Sequence, residues 1–173
     1  MMTKNNKWIF VVLVVGILFL GVALSGCSDN GDDNGNGGSG DNGGNDIASA
    51  SSIKYKWSVE SDEGTNTWEY MAKDIGTDDL KVRINFEDTD EEYESVIINK
   101  ELEKSWVKDD GQWQETPYSY VQQYENSLDD HLDRLAENWN NEPFEVTDPN
   151  TGNTLRWYGV EVDPSLSDSQ FEV

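Results

Sequence analysis

The chain has 173 residues, a formal net charge of −23 and a single cysteine. So acidic a chain repels nucleic acid and anionic lipid head groups, and we therefore expect no nucleic-acid partner. One cysteine cannot form an internal disulfide, so the fold has to depend on its apolar core. The acids are spread along the chain, which favours a general adaptation to salty surroundings or to an acidic exported proteome over the alternative, a cation-binding surface.

The first apolar stretch follows a short cationic start. Lys4 and Lys7 precede a run from Trp8 to Leu24 that contains no charged or strongly polar side chain. A cationic start, an apolar core and small residues at the end are typical of a secretory signal. The run is slightly shorter than the ~20 residues of a spanning helix, so the segment is either cleaved or retained as an anchor.

The residues Leu24-Ser25-Gly26-Cys27 come directly after this run. They resemble the lipobox of bacterial and archaeal lipoproteins. The resemblance implies a signal peptide over residues 1–26 and a mature chain that begins at a lipid-modified Cys27, attached to the cell membrane and facing the outside of the cell. The alternative is a chance cysteine beside a plain membrane anchor.

Residues 27–52 form the next segment, which consists almost entirely of Gly, Asn, Asp and Ser. Ile47 is its only large apolar side chain. Such a segment cannot bury enough surface to offset the entropy of ordering, so we predict a disordered tether. About 24 flexible residues have a root-mean-square reach on the order of 25–30 Å.

Residues 53–173 have the length of one domain. In IKYKWSVE, the side chains at odd positions from Ile53 to Val59 are apolar and the others polar, which is the period of a strand with one buried face. The pattern recurs in TWEYMAKDI and LKVRINFE, the loop DTDEE leads to the next segment, YESVIINK, and Asp110-Gly111 then favours a tight hairpin turn. We predict an antiparallel meander of five or six strands, with a second hairpin around the turn PNTG.

The period changes after Thr116-Pro117, which we interpret as a capping hydroxyl followed by proline at the first helical position. Apolar side chains then recur at steps of three and four, until Asn140 and Pro143 end the pattern. The element order predicts an α+β fold, in which one long amphipathic helix packs on the concave side of a curved antiparallel β-sheet. The apolar stripe of this helix consists of Val121, Tyr124, Leu128, Leu132, Leu135 and Trp139.

This layout, together with IINKELEKSWVKDDGQWQE and the closing DPSLSDSQFEV, resembles that of the LolA-like lipoprotein carriers and the related LppX-type lipoproteins. In that family an incomplete β-barrel with a helical lid holds acyl chains. The resemblance implies an incomplete-barrel-like meander lidded by the helix, with a hydrophobic ligand or lipid as partner. The chain is also similar to small lipoproteins of archaea such as methanogens, which add no expectation of an activity.

His131 is the only histidine, and three aspartates stand within two positions of it. A general base or a metal ligand is one interpretation. We favour a half-exposed helix residue whose pKa is raised by these acids, because one histidine without a thiol supports neither a zinc site nor a Cys-His pair. The acidic loops are expected to be solvated turns. We therefore predict no catalytic residue, no metal, no cofactor and no enzymatic activity.

Aromatic side chains are the remaining candidates for function, because there are more of them than a small acidic domain needs to fill its hydrophobic core. They would line a groove between sheet and helix for a lipid, an aromatic ligand or a sugar, although most lie on core faces. Two functions stay open: a membrane-tethered binding lipoprotein, and a cell-envelope structural or protein-interaction module without a small-molecule ligand. The predicted ligand-binding residues are Trp57, Trp68, Tyr70, Trp106, Trp113, Tyr124, Trp139 and Trp157.

Overall fold

The computed structural model describes residues 43–173 except 88, 90 and 91; the side chains of residues 43–45, 120 and 121 are not described. The signal segment, Cys27 and the tether as far as residue 42 lie outside the described residues. The elements are helix α1 (Gly43–Ala48), strands β1 (Ser52–Ser61), β2 (Gly64–Lys73), β3 (Lys81–Glu87), β4 (Ser95–Asn99), β5 (Lys104–Asp109) and β6 (Gln112–Pro117), helix α2 (Tyr118–Asn138), strands β7 (Phe144–Thr147) and β8 (Thr154–Val162), and a 3₁₀ turn (Asp168–Phe171).

All eight strands belong to one antiparallel sheet, in the order β6-β5-β4-β3-β2-β1-β8-β7. Strands β1 to β6 form a meander, and the second hairpin joins it because β8 pairs with β1. The sheet is open, with β6 and β7 as its edges. The structure therefore confirms a curved antiparallel sheet with one long helix, and it is mainly β. The sheet exceeds five or six strands because the second hairpin extends it.

The hairpin between β5 and β6 turns at the predicted residues. Asp110 and Gly111 have φ values of 47° and 75°, and Asp109 pairs with Gln112 across the turn. Two consecutive positive φ values are typical of the type I′ turn, whose twist matches that of the strands. The Asp-Gly pair thus sets the register in which β6 pairs with β5.

Helix α2 crosses the sheet, since it follows the edge strand β6 and leads into the other edge strand, β7. Its 21 residues span about 30 Å at 1.5 Å per residue, close to the ~34 Å width of eight strands. Glu125 attaches its first half to the turn after β4. This carboxylate accepts a hydrogen bond from Tyr118 Oη and pairs with Lys100 Nζ at 3.1 Å.

The start of α2 differs from the prediction. Pro117 is both the N-cap and the last residue of β6, and no side chain caps the helix. Thr116 lies in β6, where its carbonyl oxygen accepts a hydrogen bond from Ser105 Oγ at 3.0 Å. The predicted Thr116 cap is wrong because strand pairing continues through Pro117.

The sheet has two different faces, because its strands alternate in burial. We call the face covered by α2 the helix face and the opposite one the outer face. On the helix face, one row of residues that lie directly opposite each other on adjacent strands runs across β1 to β5, and every residue in it is buried. That row consists of Tyr55, Tyr70, Ile84, Val96 and Val107.

Helix α1 extends the folded unit towards the N-terminus. Residues 43–52 belonged to the predicted tether, yet Ile47 is 3% exposed and part of the core, and Asp163 holds the start of β1 by accepting hydrogen bonds from the backbone nitrogens of Ser51 and Ser52. The domain boundary at 53 is therefore too late. The composition of residues 43–52 did not predict this, because Ile47 is the only large apolar side chain that attaches the segment to the core. The described buried side chains lie between Ile47 and Phe171.

The segment after β8 closes a second, smaller core on the outer face. All five residues of β4 are buried, including Ile97, which points to the outer face. Phe171 is 2% exposed and its 3₁₀ turn contacts β3 and β4. Asp168 fastens the turn, because its Oδ1 accepts hydrogen bonds from Lys73 Nζ at 2.9 Å and Lys81 Nζ at 3.0 Å.

The variant Phe171→Ala should lower the free energy of unfolding by about 3–5 kcal/mol, because it leaves a cavity above β4. Leu102→Ala is the matched control: its side chain is 54% exposed, so the change should stay within ~0.5 kcal/mol. Chemical denaturation of both variants measures this. Equal stabilities would show that the segment after β8 is not part of the core.

Candidate functional site

The structure divides the predicted ligand-binding residues between the two faces of the sheet. Trp106 and Trp113 are half-buried on the outer face, paired with Glu115 and Lys108. Tyr124 is half-buried on α2, with its ring 6.0 Å from that of Phe86. Trp139 is buried at the C-cap of α2. The others are buried on the helix face of the sheet: Trp57, Trp68, Tyr70 and Trp157. Cys27 lies outside the described residues.

Four of the predicted residues belong to an aromatic cluster on the helix face, together with Tyr55 and the half-buried Phe144. We define the aromatic cluster as Tyr55, Trp57, Trp68, Tyr70, Phe144 and Trp157. Strand register creates it, because directly paired residues share a face. Tyr55 stacks on Tyr70 at 5.1 Å, and Trp57 stacks on Trp68 at 4.4 Å. Trp157 stacks on Phe144 at 5.0 Å. The cluster thus spans β2, β1, β8 and β7.

His131 of α2 projects into the aromatic cluster. Its ring centroid lies 4.7 Å from that of Trp57, 5.2 Å from Tyr70, 5.7 Å from Tyr55 and 5.8 Å from Trp157. Nδ1 shares a hydrogen bond of 2.9 Å with Tyr55 Oη, in which the tautomer decides the donor. The side chain is 5% exposed. The histidine therefore joins helix and sheet by both packing and hydrogen bonding.

Burial determines the charge state of this pair. Together with a smaller effect from the positive charge of Arg134, it lowers the pKa of His131 to about 3. Burial, with a smaller effect from Tyr70, raises the pKa of Tyr55. Both side chains are therefore uncharged at neutral pH, so the hydrogen bond joins two neutral groups.

The prediction of a half-exposed His131 with a raised pKa is wrong. Leu128, His131 and Leu135 follow each other at steps of three and four and are all buried, whereas Asp129, Asp130 and Asp133 do not lie on that face. The apolar stripe of the helix already contained this signal, because position 131 falls between two of its leucines.

Two polar atoms in the aromatic cluster lack partners. Nε1 of Trp57 and Nε1 of Trp157 are buried, and neither has a hydrogen-bond acceptor among the described residues. These two residues pair directly across β1 and β8, with ring centroids 6.5 Å apart. The sequence could not reveal this, since indole N–H groups usually find an acceptor when buried.

The outer face carries a separate pocket of about 450 Å³. Trp106 and Phe171 supply its aromatic surface, and Lys81 and Asp168 form an ion pair at its edge. On the same face, the guanidinium of Arg83 lies 5.8 Å from the Trp113 ring centroid. The eight predicted residues therefore do not line one common groove.

Within the described residues, no group of three or more His, Cys, Asp or Glu side chains is placed to hold a metal ion. No helix in this part of the chain is long and apolar enough to cross a membrane. No known protein family matches the chain, and no curated protein and no solved structure matches it either.

The buried neutral histidine makes stability depend on pH. The pKa of His131 is about 3 in the folded chain and near 6.5 in the unfolded chain, so between these values only the unfolded chain binds the proton. The free energy of unfolding should fall as the pH drops through this window, by up to about 1.4 kcal/mol per pH unit. Above pH 6.5 this contribution is constant.

Denaturant unfolding at several pH values, with His131→Asn as the control, measures this dependence. Asparagine has no titrating group in this pH range and keeps an amide near Tyr55. The variant should therefore be less stable than the wild type above pH 6.5, and its free energy of unfolding should fall less steeply as the pH drops. The solvated carboxylates affect both proteins equally. Parallel pH profiles for the two proteins would contradict the burial of His131.

Proposed function

We propose that this protein is an extracytoplasmic lipoprotein, attached to the cell membrane by lipid on Cys27, whose folded domain binds an apolar ligand between the sheet and α2. The observation that carries the binding proposal is the aromatic cluster beneath α2. Its stacked rings form a broad apolar surface on one side of an open sheet. Helix α2 is the proposed movable element over this surface, and an apolar molecule that enters beside it would replace part of its contacts.

The ends of α2 support its role as that movable element. No side chain caps its N-terminus, its first turn has no acidic residue and its last turn has no basic one. A helix without these end interactions depends on packing for its stability. A ligand that moves α2 would therefore have to compensate mainly for its packing, that is, for the buried Leu128 and Leu135 and for the hydrogen bond between His131 and Tyr55.

The open sheet supports a further part of this proposal, an incomplete barrel with α2 as its lid. Edge strands β6 and β7 stay unpaired with each other, and α2 runs between them. In this arrangement the ligand enters beside α2, where Tyr124 and Leu132 are half-buried. Movement of the first half of α2 would break the ion pair between Glu125 and Lys100.

The anchor is tested by the intact mass of the protein purified from its native membranes. The proposal predicts a chain that lacks residues 1–26 and carries lipid on Cys27, because cleavage before that cysteine accompanies its modification. An unmodified thiol, or a retained apolar segment, would contradict the proposed anchor.

The ligand site is tested by nuclear magnetic resonance of the indole N–H groups. We suggest residues 27–173 with Cys27→Ser, which include the buried side chains described above, titrated with the uncharged apolar probe N-phenyl-1-naphthylamine. The signals of Trp57, Trp68 and Trp157 should shift, because the probe contacts the cluster. Single Trp→Phe variants assign each signal.

Trp106 and Trp113 are the internal controls of this titration, because they lie on the outer face. Their signals should stay in place while those of the cluster move. If only the outer-face signals shift, the site lies on the other side of the sheet. The absence of any shift would contradict apolar ligand binding by this domain.

The outer-face pocket supports a second candidate function, a protein-interaction module of the cell envelope. Leu102 is 54% exposed beside half-buried Trp106, and both line the pocket together with Glu101 and Glu172. An apolar floor with acidic side chains around it suits a partner segment that combines apolar and basic residues.

A further inference from the structure

We infer that the ligand of the helix face carries an uncharged oxygen that accepts hydrogen bonds from the indole N–H groups of Trp57 and Trp157. The inference rests on the proposed function and adds the chemistry of the ligand's polar group. The ligand class is thus an apolar chain or ring system with an alcohol, ether, ester or ketone oxygen.

The two donors are buried indole N–H groups. Trp57 is 7% exposed and Trp157 is 1% exposed, and neither Nε1 has an acceptor within the part of the chain that the structure describes. Native proteins satisfy the great majority of buried polar atoms, and each exception calls for an explanation. Two such exceptions in one cluster point to a shared cause.

The two donors belong to neighbouring rings. The two rings belong to directly paired residues, and both flank His131, at centroid distances of 4.7 and 5.8 Å. Nδ1 of that histidine already shares a hydrogen bond with Tyr55. One ligand oxygen has two lone pairs, so it can accept from both indoles.

The charged side chains around the aromatic cluster favour an uncharged acceptor. The lysines of the strands lie on the outer face, where Lys54, Lys56 and Lys81 form ion pairs with carboxylates. On α2, Arg134 is half-buried, and its positive charge acts on His131 without a hydrogen bond between them. A carboxylate buried in the aromatic cluster would have none of these strand lysines as its counter-ion, which makes its burial costly. An ammonium group would offer donors where an acceptor is required.

The test compares three probes with the same hydrocarbon chain: dodecane, 1-dodecanol and dodecanoate. Each is titrated into residues 27–173 carrying Cys27→Ser at neutral pH. We expect 1-dodecanol to bind at least about tenfold more tightly than dodecane, since tenfold corresponds to only about 1.4 kcal/mol. It should also shift the indole N–H signals of Trp57 and Trp157 downfield, whereas dodecane should not.

The double variant Trp57→Phe/Trp157→Phe removes both donors and keeps aromatic rings at both positions. It should bind dodecane and 1-dodecanol with affinities within about twofold of each other. The matched control is Trp68→Phe, a change of the same kind on the same face, and it should keep the preference for the alcohol. Near-ultraviolet circular dichroism of each variant verifies that the aromatic packing survives.

The outcomes separate this inference from the proposed function. Equal affinities of the unsubstituted cluster for dodecane and 1-dodecanol would overturn the inference and leave apolar binding intact. Tightest binding of dodecanoate would overturn the uncharged character of the acceptor. Failure of all three probes to bind would overturn the proposed function itself.

Discussion

The neutral ring of His131, held by Tyr55 beneath α2, is the contact on which the placement of the helix depends. Leu128 and Leu135 would pack against many apolar surfaces, but a buried imidazole needs a partner at one position. Tyr55 provides it at 2.9 Å. This requirement aligns α2 with the four strands of the aromatic cluster, so the rings that stack by strand register also surround the histidine.

Charge is separated from the aromatic cluster. In a chain with a net charge of −23, the cationic side chains of the strands lie on the outer face and are largely paired with acids, as in the contacts of Lys56 with Glu87 and of Lys108 with Glu94. The helix face is left with neutral side chains. The same alternation that builds the sheet therefore creates an uncharged compartment inside an acidic protein, and that compartment is where we place the ligand.

Much of the fold follows from the sequence, because its patterns are local. Period-two alternation located strands β1 to β3, the Asp110-Gly111 pair located a hairpin, and the apolar stripe located α2. The joining of β8 to β1 was not visible, because strand order depends on contacts distant in sequence. The docking of Ile47 was missed for a related reason, since one apolar residue gives no periodic signal.

The candidate site was less predictable. Aromatic residue type placed Trp57, Trp68 and Trp157 among the candidates, but it could not separate them from Trp106 and Trp113, which also lie in strands and face the opposite side of the sheet. Neighbouring aspartates obscured the burial of His131. Whether an indole N–H finds an acceptor depends on its three-dimensional surroundings. The sequence alone therefore could not identify Trp57 and Trp157 as donors without acceptors.

The most direct test of a ligand site beneath α2 is native mass spectrometry of the protein purified from its own membranes. The account predicts a population that carries one additional uncharged apolar molecule per chain, released on unfolding and distinct from the covalent lipid on Cys27. Its fragmentation would reveal an oxygen-containing group. A homogeneous chain with no mass beyond the lipid anchor, under conditions that preserve other apolar complexes, would contradict the claim.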